Sequence, residues 1–142
     1  MRISIPCLFG MAFFLLPSIV LAQTEQSIQV KEAYKYVGET KIVCGRIVST
    51  KYLKRSSGGP IFLNFGRDYP NQQMTGLIWF GRFSDYFSYK PEKKLKRKTV
   101  CVKGLLTEHE GKTQMEIRTE KQIKIQRVQK EWKELKHFLD RG

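Results

Sequence analysis

Between Lys51 and Arg82 the chain interleaves cations with aromatic rings. Lys51, Lys54, Arg55, Arg67 and Arg82 supply the cations, and Tyr52, Phe62, Phe65, Tyr69 and Trp79 supply the rings. Lys112, in a later turn, adds one more cation. Aromatic faces stack on unpaired bases while cations pair with phosphates, so this combination suits a polyanion that carries flat groups. A plainer reading gives the rings to the core and leaves the charges as a solvated rim. Residue types alone keep both readings open.

Hydrolytic chemistry finds less support. Cleaving a phosphodiester needs clustered carboxylates to hold a metal, together with a positioned base or Arg. Asp68, Asp85, Glu92, Glu108, Glu110 and Glu116 are scattered along the sequence, and Glu108-His109-Glu110 falls in an expected turn. There is no Ser-His-Asp ordering, no HExxH and no phosphate-cradling glycine loop. His109 and His137 lack ligand spacing around them, and no CxxC occurs. The expectation is a non-enzymatic protein with no catalytic residue, no metal and no cofactor.

The 142 residues open with MRISIPCLFGMAFFLLPSIVLA. Arg2, an apolar run and a small-residue end read as a secretory signal peptide over residues 1–22, cleaved on export. Its apolar core, broken by Pro17, is short for a membrane span of about 20 residues. Of the 26 Lys and Arg only Arg2 lies in this segment, so the remainder carries a net charge of +12 against +13 for the whole chain. Such a balance points to a polyanionic partner: nucleic acid, anionic lipid or acidic polysaccharide. Cys7 leaves with the leader, and the two remaining cysteines, Cys44 and Cys101, favour one disulfide in an exported chain. The expected location is the periplasm, or alternatively the extracellular medium.

The elements that would position these residues are mostly strands. Residues 23–31 read as a polar lead-in, and Lys31 to Tyr36 as a short helix or turn ended by Gly38. Residues 41–53 form a long first strand with an interior glycine, Gly45, which often marks a bulge or bend. Val43 and Ile47 face inward there, and Cys44, Arg46 and Val48 outward. Residues 60–66 and 75–81 follow as second and third strands. Both are apolar on each face, so alternation does not orient them. Phe83, Tyr86 and Phe87 recur at helical spacing within residues 82–98, giving a short helix stopped by Pro91 and then a basic loop, Lys90 to Lys98. The clearest hairpin joins residues 99–106 to 113–119. Val100, Val102, Met115 and Ile117 face in, while Cys101 and Lys103 face out. Val128, Trp132, Leu135 and Leu139 form one stripe of a C-terminal amphipathic helix, residues 126–142, packed on the barrel.

Five strands with a helical segment between the third and fourth is the element order of the OB-fold, a five-stranded Greek-key barrel. The fold class is thus mainly β, with residues 23–125 as the barrel domain. The first strand of that barrel neighbours the fourth, which brings Cys44 and Cys101 together. Ligands of this fold meet the second and third strands and the loops joining strands one to two and four to five. Here those are Lys51 to Gly59, Phe62 to Tyr69, Trp79 to Arg82 and His109 to Lys112.

EAYKYVGETKIVCGRIVSTKYL, GGPIFLNFGRDYPNQQMTGLIWF and KTVCVKGLLTEHEGKTQMEI together resemble the small exported bacterial OB-fold nucleic-acid-binding domains. Related modules are found attached to secreted, sugar-nonspecific nucleases. The resemblance runs from about Ile28 to Ile125. It implies DNA or RNA binding and no catalysis in the module. The expected function is then a monomeric envelope protein that binds single-stranded nucleic acid with little sequence specificity. Two other classes stay open: an envelope module for protein, glycan or anionic lipid, with the tail helix as a membrane-surface element, and an accessory subunit of a separate nuclease or DNA-uptake system.

Overall fold

β-branched and aromatic residues concentrate in the runs that become strands, and the computed structural model describes them within residues 25–127. Seven strands form: β1 (Ser27–Gln29), β2 (Thr40–Tyr52), β3 (Pro60–Phe65), β4 (Met74–Trp79), β5 (Thr99–His109), β6 (Lys112–Glu116) and β7 (Ile123–Ile125). They run in the order β1-β2-β3-β4-β6-β5-β7, and a further β2–β5 pairing closes the ring. β4 and β6 are parallel, and the other barrel pairs are antiparallel. The five strands β2 to β6 make the closed Greek-key barrel of the OB-fold.

The two extra strands correct the sequence reading. The lead-in carries β1, which runs parallel to β2, and β7 adds to the far side of β5. The expected leader lies outside the described residues, as does the apolar stripe from Val128 onward. Gln126 and Arg127 are not helical. The Gln126 N–H instead donates to Thr99 O at 2.8 Å, continuing the β7 ladder.

β2 serves two sheets. Thr40 to Arg46 pairs with β5, and Ile47 to Tyr52 pairs with β3. The register slips between Ile47 and Ser49, where Val48 is the extra residue of a bulge. The slip reverses the parity of the strand. Val43 and Ile47 are fully buried, as expected, but beyond the bulge it is Thr50 and Tyr52 that oppose the buried Leu63 and Ile61. Lys51 and Ser49 then face out. Gly45 is needed for a different reason from the bulge, because a Cβ there would stand 2.6 Å from a Val30 methyl.

Val30 and Ala33, on a 3-10 turn at Val30–Tyr36, pack into the core. Barrel-facing residues of every barrel strand complete it, including Ile47, Leu63, Phe65, Ile78, Leu106 and Met115, all with no exposed surface. Gly76 leaves room for Ile117 and Phe65 at the barrel centre, where a Cβ would meet them at 3.1 and 3.2 Å.

The connection from β4 to β5 is more broken than its ring spacing suggests. One α-turn, α1 (Phe80–Phe83), begins where the third strand was expected to continue. A 3-10 turn (Ser84–Tyr86) follows. The basic stretch is not a plain loop. Pro91 starts a second turn, α2 (Pro91–Lys94), at the position where a missing N–H costs nothing. Phe87, Pro91 and Leu95 are buried beneath this connection, and Thr50 Oγ1 donates to Glu92 O at 2.7 Å, tying α2 to β2.

Cys44 and Cys101 are direct partners across β2 and β5 and form a disulfide, with Cα atoms 4.0 Å apart. Both side chains point away from the barrel axis yet are only 9% exposed. Their outward neighbours are Gln29 of β1 and Lys124 of β7.

Candidate functional site

The outward face of β2, β3, β4 and β6 carries an open groove of about 650 Å³. Its floor follows from the register. Ser49 opposes Asn64, Asn64 opposes Thr75, and Thr75 opposes Gln114, so one polar row crosses four strands. Adjacent strands lie about 4.8 Å apart, which makes the row roughly 14 Å long. Asn64 and Thr75 are 6% and 7% exposed, so the floor is deep. The next row holds Lys51 opposite Phe62, and Phe62 opposite Leu77.

Loops wall the groove. Asp68, Tyr69 and Pro70 come from the β3–β4 loop, Leu53 from the start of the β2–β3 loop, and His109, Glu110 and Lys112 from the β5–β6 hairpin. That hairpin turns on Glu110 and Gly111, both at positive φ, the geometry that matches strand twist in a two-residue turn. Tyr69 is 75% exposed, the most open of the large apolar side chains among the described residues.

A directed chain of hydrogen bonds stiffens one wall. Asn64 Nδ2 donates to Ser49 Oγ at 3.0 Å, and Ser49 Oγ donates to Asp68 Oδ1. The Tyr69 N–H donates to the same Oδ1 at 2.8 Å. The Ser49 hydroxyl, then the Tyr69 amide and more weakly Lys96, hold the Asp68 carboxyl below its ordinary value of 3.8. Nearby, Gln72 Nε2 donates to Thr75 Oγ1 at 3.1 Å, while Gln72 Oε1 is buried with no partner among the described residues.

Of the residues singled out in the sequence, the groove gathers Lys51, Phe62, Tyr69 and Lys112. Trp79 and Arg82 sit apart, with Ser57 and Gly58, around a smaller recess of about 190 Å³. The Trp79 ring lies so close over Gly58 that a Cβ there would meet it at 2.9 Å. Lys54, Arg55 and Arg67 are exposed on loops and do not line the groove. Tyr52 turns to the barrel side and meets Phe80 edge-on, with centroids 5.8 Å apart. The reason is the bulge, which gives Tyr52 inward parity. Phe65 is wholly buried and pairs with Ile47 and Met74 inside the barrel, so its ring offers no stacking face.

As individual site residues, the floor's Ser49, Asn64, Thr75 and Gln114 and the wall's Asp68 and Gln72 escaped sequence reading, although Asn64 and Asp68 lie within the stretch Phe62 to Tyr69 expected to meet the ligand. The one usable signal was Asn64, a lone amide in the apolar run PIFLNF. The stretch Lys90 to Lys98 also gains meaning. Its six cations, Lys90, Lys93, Lys94, Lys96, Arg97 and Lys98, are all exposed and make no ion pair among the described residues. Thr50, in the groove lining, donates to Glu92 O of α2, so this basic stretch adjoins the groove. Among the described residues, no three His, Cys, Asp or Glu side chains gather where they could hold a metal ion.

Neither a protein-family model nor a curated protein matches the sequence. Among solved structures, one similar chain is a protein designated an aspartyl-tRNA synthetase from Leishmania major Friedlin, 11% identical with a TM-score of 0.46. Another is the asparaginyl-tRNA synthetase from Pyrococcus horikoshii, 14% identical with a TM-score of 0.47. Each match covers 75% of this chain, which spans only 22% and 24% of theirs. Likeness of this degree bears on neither ligand nor activity.

Proposed function

We propose that the protein binds single-stranded DNA or RNA across this barrel face, without catalysing a reaction on it. The observation that carries the reading is the groove, in which Phe62 and Tyr69 stand beside a polar floor with Lys51 and Lys112 at its edges. Two rings offer stacking worth about 1–3 kcal/mol per base, and stacking tolerates any base. The floor offers amide and hydroxyl groups to base edges. The net charge, +12 without the expected leader, draws polyanions from a distance, and the Lys90 to Lys98 stretch extends the positive field beside the groove. The Cys44–Cys101 disulfide supports an oxidising compartment such as the periplasm or the extracellular medium.

Titration of labelled single-stranded DNA at several salt concentrations, beside duplex DNA and heparin, tests the reading. The logarithm of the affinity should fall linearly with the logarithm of salt. Lys51→Ala combined with Lys112→Ala should flatten the slope by roughly 0.7 for each phosphate that is no longer neutralised. Absence of single-strand binding at low salt refutes the proposal. Heparin binding tighter than the single strand reassigns the groove to acidic polysaccharide.

A further inference from the structure

A groove for a polyanion has no electrostatic use for a carboxylate in its wall, yet Asp68 stands there. The local bonding shows what it can do. Oδ1 accepts from both Ser49 Oγ and the Tyr69 N–H, so its lone pairs are taken. Oδ2 accepts no hydrogen bond from the described residues, and the Asn64–Ser49 chain fixes the carboxylate's orientation. The next residue, Tyr69, is the most exposed ring of the site. A second acceptor lies in the same groove, because Gln72 Oε1 is buried and without a partner among the described residues. A buried acceptor left unpaired is costly, and a turn of the Gln72 side chain toward the groove would let a ligand donor satisfy it. Both groups therefore want hydrogen-bond donors, and one of them repels phosphate.

We propose that Asp68 and Gln72 form a base-reading subsite that prefers bases carrying an exocyclic amino group and disfavours uracil and thymine. This rests on the reading of the groove as a single-strand site. A base stacked on Tyr69 presents its edge to the adjoining wall. Cytosine, adenine and guanine each bring an N–H₂ donor to that edge. Uracil and thymine bring one N–H set between two carbonyl oxygens, which a carboxylate and an amide oxygen repel. Lysines then hold the backbone, and the acceptors sort the base, the usual division between positioning and specifying contacts.

Cytosine and uracil have the same ring size and differ at the edge in question. The test therefore compares oligo-dC with oligo-dU of about twelve nucleotides, a length within the span of one OB barrel. The wild-type protein should bind oligo-dC roughly tenfold more tightly or better, the scale of one good base-edge contact. Asp68→Asn keeps an oxygen for Ser49 and for the Tyr69 N–H while removing the charge. It should bind oligo-dU more tightly than wild type does and bring the ratio to within about twofold. Gln72→Ala, which leaves Asp68 and the net charge untouched, should reduce the ratio as well. Equal affinity of the wild type for both oligomers overturns the subsite and leaves the groove reading standing. A ratio that survives both substitutions in folded protein also overturns it. Binding of neither oligomer at low salt overturns the groove reading and the subsite with it.

Discussion

Phe62 and Phe65 lie three positions apart in one strand and have opposite fates. Phe65 is sealed in the barrel, while Phe62 is half-buried at the groove. Phe65→Ala should cost about 3–5 kcal/mol of stability, read as a shift in the denaturant midpoint. Phe62→Ala should leave the midpoint nearly in place and weaken single-strand binding by about 1–3 kcal/mol. The opposite pattern would mean that β3 presents its other face. This distinction was beyond the sequence for a physical reason. PIFLNF has Asn64 as its one polar residue, because the groove face is itself half covered, so alternation is too weak to orient the strand. Asp68, by contrast, was visible only as one scattered acid. Its role depends on Ser49, nineteen positions earlier, and on a register that no local pattern encodes.

Among the elements, the five barrel strands were legible, while β1, β7 and the β4–β5 connection were not. Val, Ile and turn residues mark β2, β5 and β6 clearly, and the Cys44–Cys101 pairing followed from strand order. Phe83, Tyr86 and Phe87 have helical spacing, yet an α-turn and a 3-10 turn set end to end, with extended backbone at Phe87, also let Phe87 reach the core while the Phe83 and Tyr86 rings meet at a tilt, with centroids 6.4 Å apart. A carboxylate holds this irregular segment. Glu120 Oε2 accepts from the Ser88 N–H and from Ser88 Oγ, each at 2.8 Å, and those two bonds hold the Glu120 carboxyl below its ordinary value of 4.5. A carboxyl lowered by folding contributes stability above its unfolded-state value and loses it as pH falls through the folded-state value. Thermal melts should therefore show wild type above Glu120→Gln at neutral pH, with the two converging as pH falls through and below the lowered Glu120 value. Asp68 is lowered in the same direction, so the variant keeps some acid sensitivity. Parallel curves at every pH would dismiss the Glu120–Ser88 contact as a source of acid sensitivity.

At the scale of the whole molecule, the disulfide and the groove occupy different stretches of the barrel wall. Cys44 and Cys101 span 57 positions and lock the β2–β5 seam that closes the ring. Closing a loop of that length stabilises by roughly 4 kcal/mol in the chain-entropy model. A reductant should lower the denaturant midpoint of the wild type and leave a Cys44→Ala/Cys101→Ala variant unmoved at its own lower value. An unchanged wild-type midpoint with both thiols titrating free would show that the seam holds without the bond. The bulge at Val48 separates these two regions within a single strand. On one side the odd-numbered residues point to the axis, on the other the even-numbered ones. It works as a gear change between two counting schemes. Mutational drift in residues 40–46 can retune the crosslinked seam without altering which residues the groove receives, and the groove half can diversify its contacts without disturbing the crosslink. A single strand thus holds two separately evolvable modules, joined by one residue of slack.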